Sequence, residues 1–148
     1  MENRQITYSE KEIDVNDAQD VMMSFGRASI SGDFIGRFYE IFLESEPSIK
    51  PIFKNTDFSK QKGLLRQGIS LIILYAKGSV VGTSGLTRIR DTHRKTKMNI
   101  PPHLYKYWKA SLVQTATEFD KNMTPKLITQ WNKVIDKGVK FISEGYNL

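Results

Sequence analysis

The chemistry that this sequence can support centres on two histidines, His93 and His103. His93 lies in a short predicted helix, Leu86–Thr96, where the helical period places it on the same face as Leu86 and Ile89. That face is expected to be buried. His103 follows two prolines at the expected start of a helix, so we expect its side chain to be exposed and solvated.

An inward histidine such as His93 has two interpretations. In the first it is a core residue whose ring is hydrogen-bonded to a backbone carbonyl. In the second it is the single axial ligand of a haem iron, because a neutral ring nitrogen binds iron and an apolar wall beneath it excludes water. The helical pattern alone favours the core interpretation.

Composition narrows the possible metal sites. The sequence has no cysteine, which excludes disulfides, thiolate zinc sites, iron–sulfur clusters and thiol nucleophiles. Two histidines cannot form a site of several imidazoles, whereas a site with one imidazole is possible. With 148 residues, of which 39% are hydrophobic, the chain is expected to form one soluble domain, 15–148, preceded by an N-terminal extension, 1–14.

The charge pattern does not indicate a nucleic-acid site. Lysine and arginine total 22 against 16 acidic residues, and five of these cations lie in the basic segment 88–97. This segment has no interleaved aromatic side chains, so we interpret it as a solvated helix face. The chain also lacks a signal peptide, and its most apolar stretch, Leu64–Ala76, is shorter than the roughly 20 residues that span a membrane. We expect a cytoplasmic protein without nucleic acid or membrane partners.

Apolar residues recur at three- and four-residue steps almost everywhere, which predicts an all-α fold. Asp33, Asp57, the pair Pro101-Pro102 and the pair Thr124-Pro125 mark expected helix starts. The first helix is expected over about Asn16–Ser29, with an inward face formed by Val21, Met22 and Phe25.

The glycine- and serine-rich stretch Gly78–Gly85 predicts a flexible break before the helix of His93. The same helical period predicts four further inward stripes: Phe34, Phe38, Ile41 and Phe42; Gln61, Leu65, Gly68, Ile69, Ile72, Ile73 and Ala76; Leu104, Trp108, Leu112, Ala116 and Phe119; and Leu127, Trp131, Val134, Gly138, Phe141 and Ile142.

The order and spacing of these elements resemble the globin family, in its bacterial single-domain and flavohaemoglobin branch. The resemblance extends from about Val15 to Phe141 and depends on residues of five helices and one corner: Phe38, Tyr39, Pro47, Phe53, Gln61, Leu65, His93, Pro102, Tyr105 and Trp108. It implies a globin fold of six to seven helices around a pocket for haem b. It also implies that His93 is the proximal ligand of the iron.

The resemblance implies roles for further residues. Phe53 would stack against the haem, and Tyr39, Gln61 and Leu65 would line the distal side, where O–H and N–H groups favour retention of dioxygen. Apolar neighbours of the ring are assigned by their position on the helical stripes: Ile69, Ile89, Met98, Ile100, Tyr105 and Leu112.

Two assignments stay open. The corner between Phe53 and the long helix varies in length within the family, so Lys60 is an alternative to Gln61 at the distal position. The helical period favours Gln61, because the other register buries a lysine and an amide. One of the cations of the basic segment 88–97, or Lys62, is expected to pair with a haem propionate, and the sequence does not say which.

The sequence departs from the flavohaemoglobin pattern in two places. No dinucleotide-binding glycine motif follows the last helix, so any reductase would be a separate protein. In that branch a tyrosine and a glutamate assist the proximal histidine; Tyr105 matches the tyrosine, but Glu144 is out of step with the expected position.

The resemblance implies reversible binding of a diatomic ligand, dioxygen or nitric oxide. Two alternatives are a nitric oxide dioxygenase that uses an external reductase, and the gas-sensing input domain of a longer protein with a C-terminal transducer. The chain is expected to be a monomer or a homodimer.

Overall fold

Seven α-helices make up the part of the chain that the computed structural model describes, which is the backbone of residues 2–148 and the side chains of residues 15–148. Their bounds are α1 Glu2–Ile30, α2 Phe34–Glu44, α3 Ile49–Ile52, α4 Phe58–Ala76, α5 Val80–His93, α6 Tyr105–Phe119 and α7 Pro125–Ser143. The described residues form no strand, and the predicted all-α fold is confirmed. None of these helices combines the length and the apolar character that crossing a membrane requires.

The predicted helix starts correspond to real caps. The side chains of Asp33, Asp57 and Thr124 each accept a hydrogen bond from a backbone N–H in the first turn, at 3.0, 3.1 and 3.1 Å respectively. These bonds satisfy donors that the first turn of a helix leaves free. At the pair Pro101-Pro102 the structure differs slightly from the predicted helix start, because a short 3₁₀ turn, Pro102–Leu104, precedes α6.

The first helix is longer than predicted, and one of its predicted inward residues is wrong. Val21 and Phe25 are buried, whereas the side chain of Met22 is 38% exposed. The buried stripe runs through Ala18, Val21 and Phe25, and Met22 lies about 100° around the helix from Val21. The side chains of residues 1–14 lie outside the described residues, so the N-terminal extension stays a prediction.

The predicted inward stripes of the other helices are largely confirmed. Their buried members are Phe34, Phe38 and Phe42; Leu65, Ile69, Ile72, Ile73 and Ala76; Leu104, Leu112 and Ala116; and Leu127, Trp131, Val134, Gly138 and Ile142. Their half-buried members are Ile41, Gln61, Gly68, Trp108, Phe119 and Phe141.

The predicted flexible break over Gly78–Gly85 is wrong, because α5 begins at Val80 and includes most of that stretch. A Cβ on Gly82 would lie 2.3 Å from the backbone nitrogen of Tyr75, and a Cβ on Gly85 would lie 2.5 Å from Cδ2 of Leu71. Both glycines therefore permit a close approach of α5 to α4. Within this stretch, Gly78 alone has a backbone conformation that favours glycine: its φ is +82°, and it lies in the connection between the two helices.

The two helices diverge away from this close contact. At Gly68 a Cβ would meet only Cδ1 of Ile89, at 4.0 Å. The pair α4 and α5 is therefore narrow at its connected end and wider towards Gln61 and His93. The predicted helix Leu86–Thr96 accordingly starts earlier, at Val80, and ends at His93 itself.

A buried polar network joins α1, the end of α6 and α7. The carboxylate of Asp120 accepts hydrogen bonds from Nε and Nη2 of Arg27, at 2.8 and 2.9 Å, and from Oγ of Ser24, at 2.5 Å. The indole Nε1 of Trp131 donates to the same Ser24 hydroxyl at 2.9 Å. The hydrogen bonds from Arg27 are the main cause that lowers the pKa of Asp120 to about 2. The network thus favours the ionised carboxylate in the folded state.

Replacing Gly82 with alanine should destabilise the fold. The new Cβ would meet backbone that cannot move without separating α4 from α5, so Gly82→Ala should lower the free energy of unfolding by about 1–3 kcal/mol. Gly63→Ala is the matched control, because nothing lies near its Cβ, and it should raise that free energy by about 0.5–1 kcal/mol. Urea denaturation measures both. Equal stability of the two variants would contradict the close approach.

Asp120 should make stability depend on pH in the acid range. Its folded-state pKa is about 2, below the ordinary value of 3.8, so its contribution is complete above the ordinary pKa and is lost as the pH falls through about 2. Asp120→Asn should cost about 1–2 kcal/mol at pH 7, and the difference from wild type should shrink as the solution is acidified. Asp136→Asn, which breaks an exposed ion pair with Lys109, should cost no more than about 0.5 kcal/mol. A pH-independent cost of Asp120→Asn in urea denaturation would refute this account.

Candidate functional site

A cavity of about 530 Å³ lies where α4 and α5 diverge, and residues of α2, α3, α6 and α7 close it. Pockets for cofactors and small ligands span roughly 300–1,000 Å³. Most of its wall is apolar, and the polar wall residues are few: Tyr39, Thr56, Gln61, Gln67, Arg88, Thr92, His93 and Tyr105. A cavity of this size with a few polar groups is the expected form of a ligand site.

His93 is the last residue of α5 and lies in the cavity wall. Its Nδ1 lies 2.8 Å from the backbone oxygen of Ile89, one turn earlier in the helix. A carbonyl oxygen only accepts, so this bond assigns the proton to Nδ1 and leaves the lone pair on Nε2. Burial lowers the pKa of His93, and the bond to Ile89 opposes that shift in part. The ring is therefore neutral at neutral pH, and Nε2 can act as a ligand.

Tyr39 of α2 and Gln61 of α4 also lie in the wall. Burial raises the pKa of the Tyr39 hydroxyl, while a hydrogen bond with the Gln61 side chain acts in the opposite direction. The hydroxyl therefore remains protonated at neutral pH and keeps its O–H donor. Lys60 is exposed and lies outside the wall, so α4 adopts the register with Gln61 inward.

Aromatic side chains fix the position of Tyr39. Its ring packs edge-on against Phe38, Phe58 and Phe53, with centroid distances of 5.1, 5.3 and 6.1 Å. Phe38 and Phe58 come from α2 and the start of α4, and Phe53 comes from the corner after α3. Such edge-to-face contacts are favourable and directional. They hold the hydroxyl of Tyr39 at a defined place in the wall.

Most of the other predicted site residues also line the cavity: Phe53, Leu65, Ile89, Met98, Ile100 and Tyr105. Their predicted roles as neighbours of a bound group stay predictions. Burial raises the pKa of the Tyr105 hydroxyl, and Glu144 is exposed and outside the wall.

Two further residues predicted as neighbours of a bound group, Ile69 and Leu112, are buried but do not line the cavity, and their roles also stay predictions. Ile69 lies on α4 between the wall residues Gly68 and Leu71 and is 2% exposed. Leu112 lies one turn after Trp108, the last residue of α6 in the wall, and is fully buried among the helices.

Sequence reasoning missed several residues of the wall. Val139 and Ile142 come from α7, whose predicted stripe contained Ile142 but gave no sign that this end of the helix reaches the cavity. Gln67 and Thr92 are exposed and polar, so hydrophobic periodicity gives them no signal, and Arg88 was predicted only as one cation of the basic segment 88–97. They lie at the rim, where exposed faces of α4 and α5 meet. The exposed position predicted for His103 is confirmed.

Hydrogen bonds with Tyr146, after α7, fix the corner 94–100 that follows His93. The backbone N–H of Lys95 donates to the oxygen of Tyr146 at 2.8 Å, and the Tyr146 hydroxyl lies 2.5 Å from Oδ1 of Asn99. Asn99 has φ +53°, a left-handed conformation that asparagine tolerates better than most residues. This corner carries Met98 and Ile100 into the wall. The segment after α7 therefore helps to shape the cavity beside His93.

Comparisons with known proteins agree with this architecture. No protein-family model matches the sequence, and no curated protein matches it. Among solved structures, the chain is similar to the crystal structure of protein PA3967 from Pseudomonas aeruginosa PAO1, described as structurally highly homologous to a human hemoglobin. The TM-score is 0.85 at 33% sequence identity, over 89% of this chain and 99% of that chain.

Proposed function

This chain belongs to the globin family, and from that premise we propose that it binds haem in the cavity, with His93 as the protein ligand of the iron. One observation carries the proposal: the neutral ring of His93, with Nδ1 bonded to the Ile89 carbonyl, has its Nε2 lone pair free in the wall of an apolar cavity. A histidine that only filled the core would not border a cavity of about 530 Å³.

The cavity fits a large, mostly apolar ring. Gly68 leaves space between α4 and α5 that a side chain would fill, because only Ile89 comes within 4.0 Å of its Cβ position. Leu65 and Ile89 supply apolar surface on the two helices that flank this space. Burial of such surface contributes about 25 cal/mol per Å² to binding and keeps water away from His93.

When bound, haem supplies the iron to which a diatomic ligand attaches. Tyr39 and Gln61 are suited to hold such a ligand, because the phenol O–H and the amide N–H₂ are donors in an otherwise apolar wall. A bound dioxygen would carry partial negative charge, and hydrogen bonds from these two donors would be worth more in a site of low polarity. Leu65 limits the space beside these donors. We therefore propose reversible binding of dioxygen with slow release.

His93 should be required for haem binding. Purified protein supplied with haem should show the absorption spectrum of a histidine-ligated haem, and His93→Gly should lose it. Added imidazole should restore that spectrum in His93→Gly by occupying the vacated position. His103→Gly is the matched control, because His103 is exposed and outside the cavity, and its spectrum should equal that of wild type.

The same spectra can refute the proposal. A wild-type protein that acquires no haem would show that the cavity is not a haem site. An unchanged spectrum in His93→Gly without imidazole would show that another residue ligates the iron.

Tyr39 should slow the release of dioxygen. Tyr39→Phe keeps the aromatic packing and removes one hydrogen bond of about 1–1.5 kcal/mol, which predicts roughly five- to tenfold faster release. Stopped-flow displacement of dioxygen by carbon monoxide measures the rate. Tyr107→Phe serves as the control, since Tyr107 lies outside the cavity wall and its hydroxyl should not affect release. Equal rates in Tyr39→Phe and wild type would mean that Tyr39 only fills the core.

A further inference from the structure

The exposed face of α1 carries no charged residue between positions 15 and 30. At 100° per residue, the exposed residues of this stretch all lie within about 120° of the helix circumference and form one continuous stripe. Two of its side chains are strongly exposed, Met23 at 54% and Ile30 at 87%. We call this stripe the α1 face, and its members are Val15, Asn16, Gln19, Met22, Met23, Gly26 and Ile30.

The charged residues of the same stretch point towards the rest of the fold. Asp17 and Asp20 contact α7, and Arg27 contacts the end of α6. Lys77, which follows α4, borders the α1 face, since its Nζ donates to Oε1 of Gln19 at 3.0 Å. A surface helix normally directs its charges outward and its apolar side chains inward. Here the charges lie inward, and the outward face is uncharged and partly apolar.

Nothing in a single copy of the chain requires glycine at position 26. Gly26 lies inside α1, and a Cβ built on it would meet nothing within 4 Å. A glycine within a helix costs about 0.5–1 kcal/mol of stability relative to alanine. Gly82, by contrast, faces the backbone of Tyr75 in a neighbouring helix. A second helix that crosses the α1 face closely would give Gly26 the same role.

The α1 face is complementary to itself in the antiparallel direction. A twofold axis through the middle of the stripe, between its two methionines, brings Gln19 of one copy opposite Gly26 of the other. A long side chain then lies over a residue without one. The same axis brings Val15 opposite Ile30 and each methionine beside its own copy. Twofold dimers need a surface of this kind, which fits itself.

We infer that two copies of this chain associate through the α1 face as an antiparallel, twofold-symmetric dimer. Apolar burial favours this contact, and no charge on the stripe has to lose its hydration. The stripe covers only about 22 Å of helix. A single pair of helices of that length buries less than the roughly 1,200 Å² of most stable interfaces, so we expect a reversible dimer with a dissociation constant of about 10–100 μM.

The dimer and the proposed haem site are separate properties of the molecule. None of the described side chains of α1 lines the cavity. Association therefore does not depend on the proposed function, and either can fail without the other.

Sedimentation velocity over a range of concentrations tests the association. The wild-type protein should be dimeric well above its dissociation constant and monomeric well below it. Met23→Glu should weaken association by about tenfold or more, because two carboxylates would meet near the twofold axis. Leu148→Glu makes the same kind of change at a side chain that is 71% exposed outside α1, and it should associate like wild type.

Disulfide formation tests the direction of the two helices, because the natural chain has no cysteine. A mixture of Gln19→Cys and Gly26→Cys should form intermolecular disulfides on mild oxidation, since these positions face each other in the antiparallel dimer. Each variant alone should form few, because equivalent positions of the two copies lie about 10 Å apart along the helix axis, too far for a disulfide. Non-reducing electrophoresis separates the products.

A wild-type protein that stays monomeric at millimolar concentration would overturn the inference, as would equal association of Met23→Glu and wild type. Efficient cross-linking of Gln19→Cys with itself would indicate parallel helices and would overturn it as well. None of these outcomes affects haem binding, which the spectra of His93→Gly decide.

Discussion

The close approach of α4 and α5 is the constraint on which the cavity depends. Gly82 lets the backbones of the two helices meet, and Gly85 makes room for the side chain of Leu71, next to the short connection that joins the helices. The helices diverge from that contact. The gap between them widens over the roughly 16 Å of α5 that separate Gly82 from His93. The connected end also fixes the register that sets which side chains face each other across the gap. A larger residue at the contact would separate the helices along their whole length.

The polar groups of the site are few, and each is held by the fold. The carbonyl of Ile89 determines which nitrogen of His93 is free, so the helix that carries the imidazole also sets its tautomer. Tyr39 is held by the ring of its neighbour Phe38 and by two rings from other parts of the chain, Phe53 and Phe58. The carboxylate of Asp120 joins the end of α6 to Ser24 and Arg27 of α1, and Trp131 of α7 donates to the same Ser24.

The sequence predicted the helices and most of the cavity wall, because both follow the 3.6-residue period of buried positions. It also predicted Tyr39, Gln61 and His93 as site residues, and all three lie in one wall. Their chemical roles came from the family resemblance rather than from the period. The period misplaced Met22, which is exposed. It placed Ile69 and Leu112 correctly inside, but it could not show that they lie outside the cavity wall, because it does not separate core from cavity.

The break predicted over Gly78–Gly85 failed for a related reason: glycine marks flexibility and close packing alike, and only the neighbouring helix distinguishes them. The contact of Tyr146 with Asn99 has a consequence of its own. Through it, the segment after α7 is bonded to the corner beside His93. A substitution at Tyr146 that removes this contact would therefore act on the wall of the cavity beside His93.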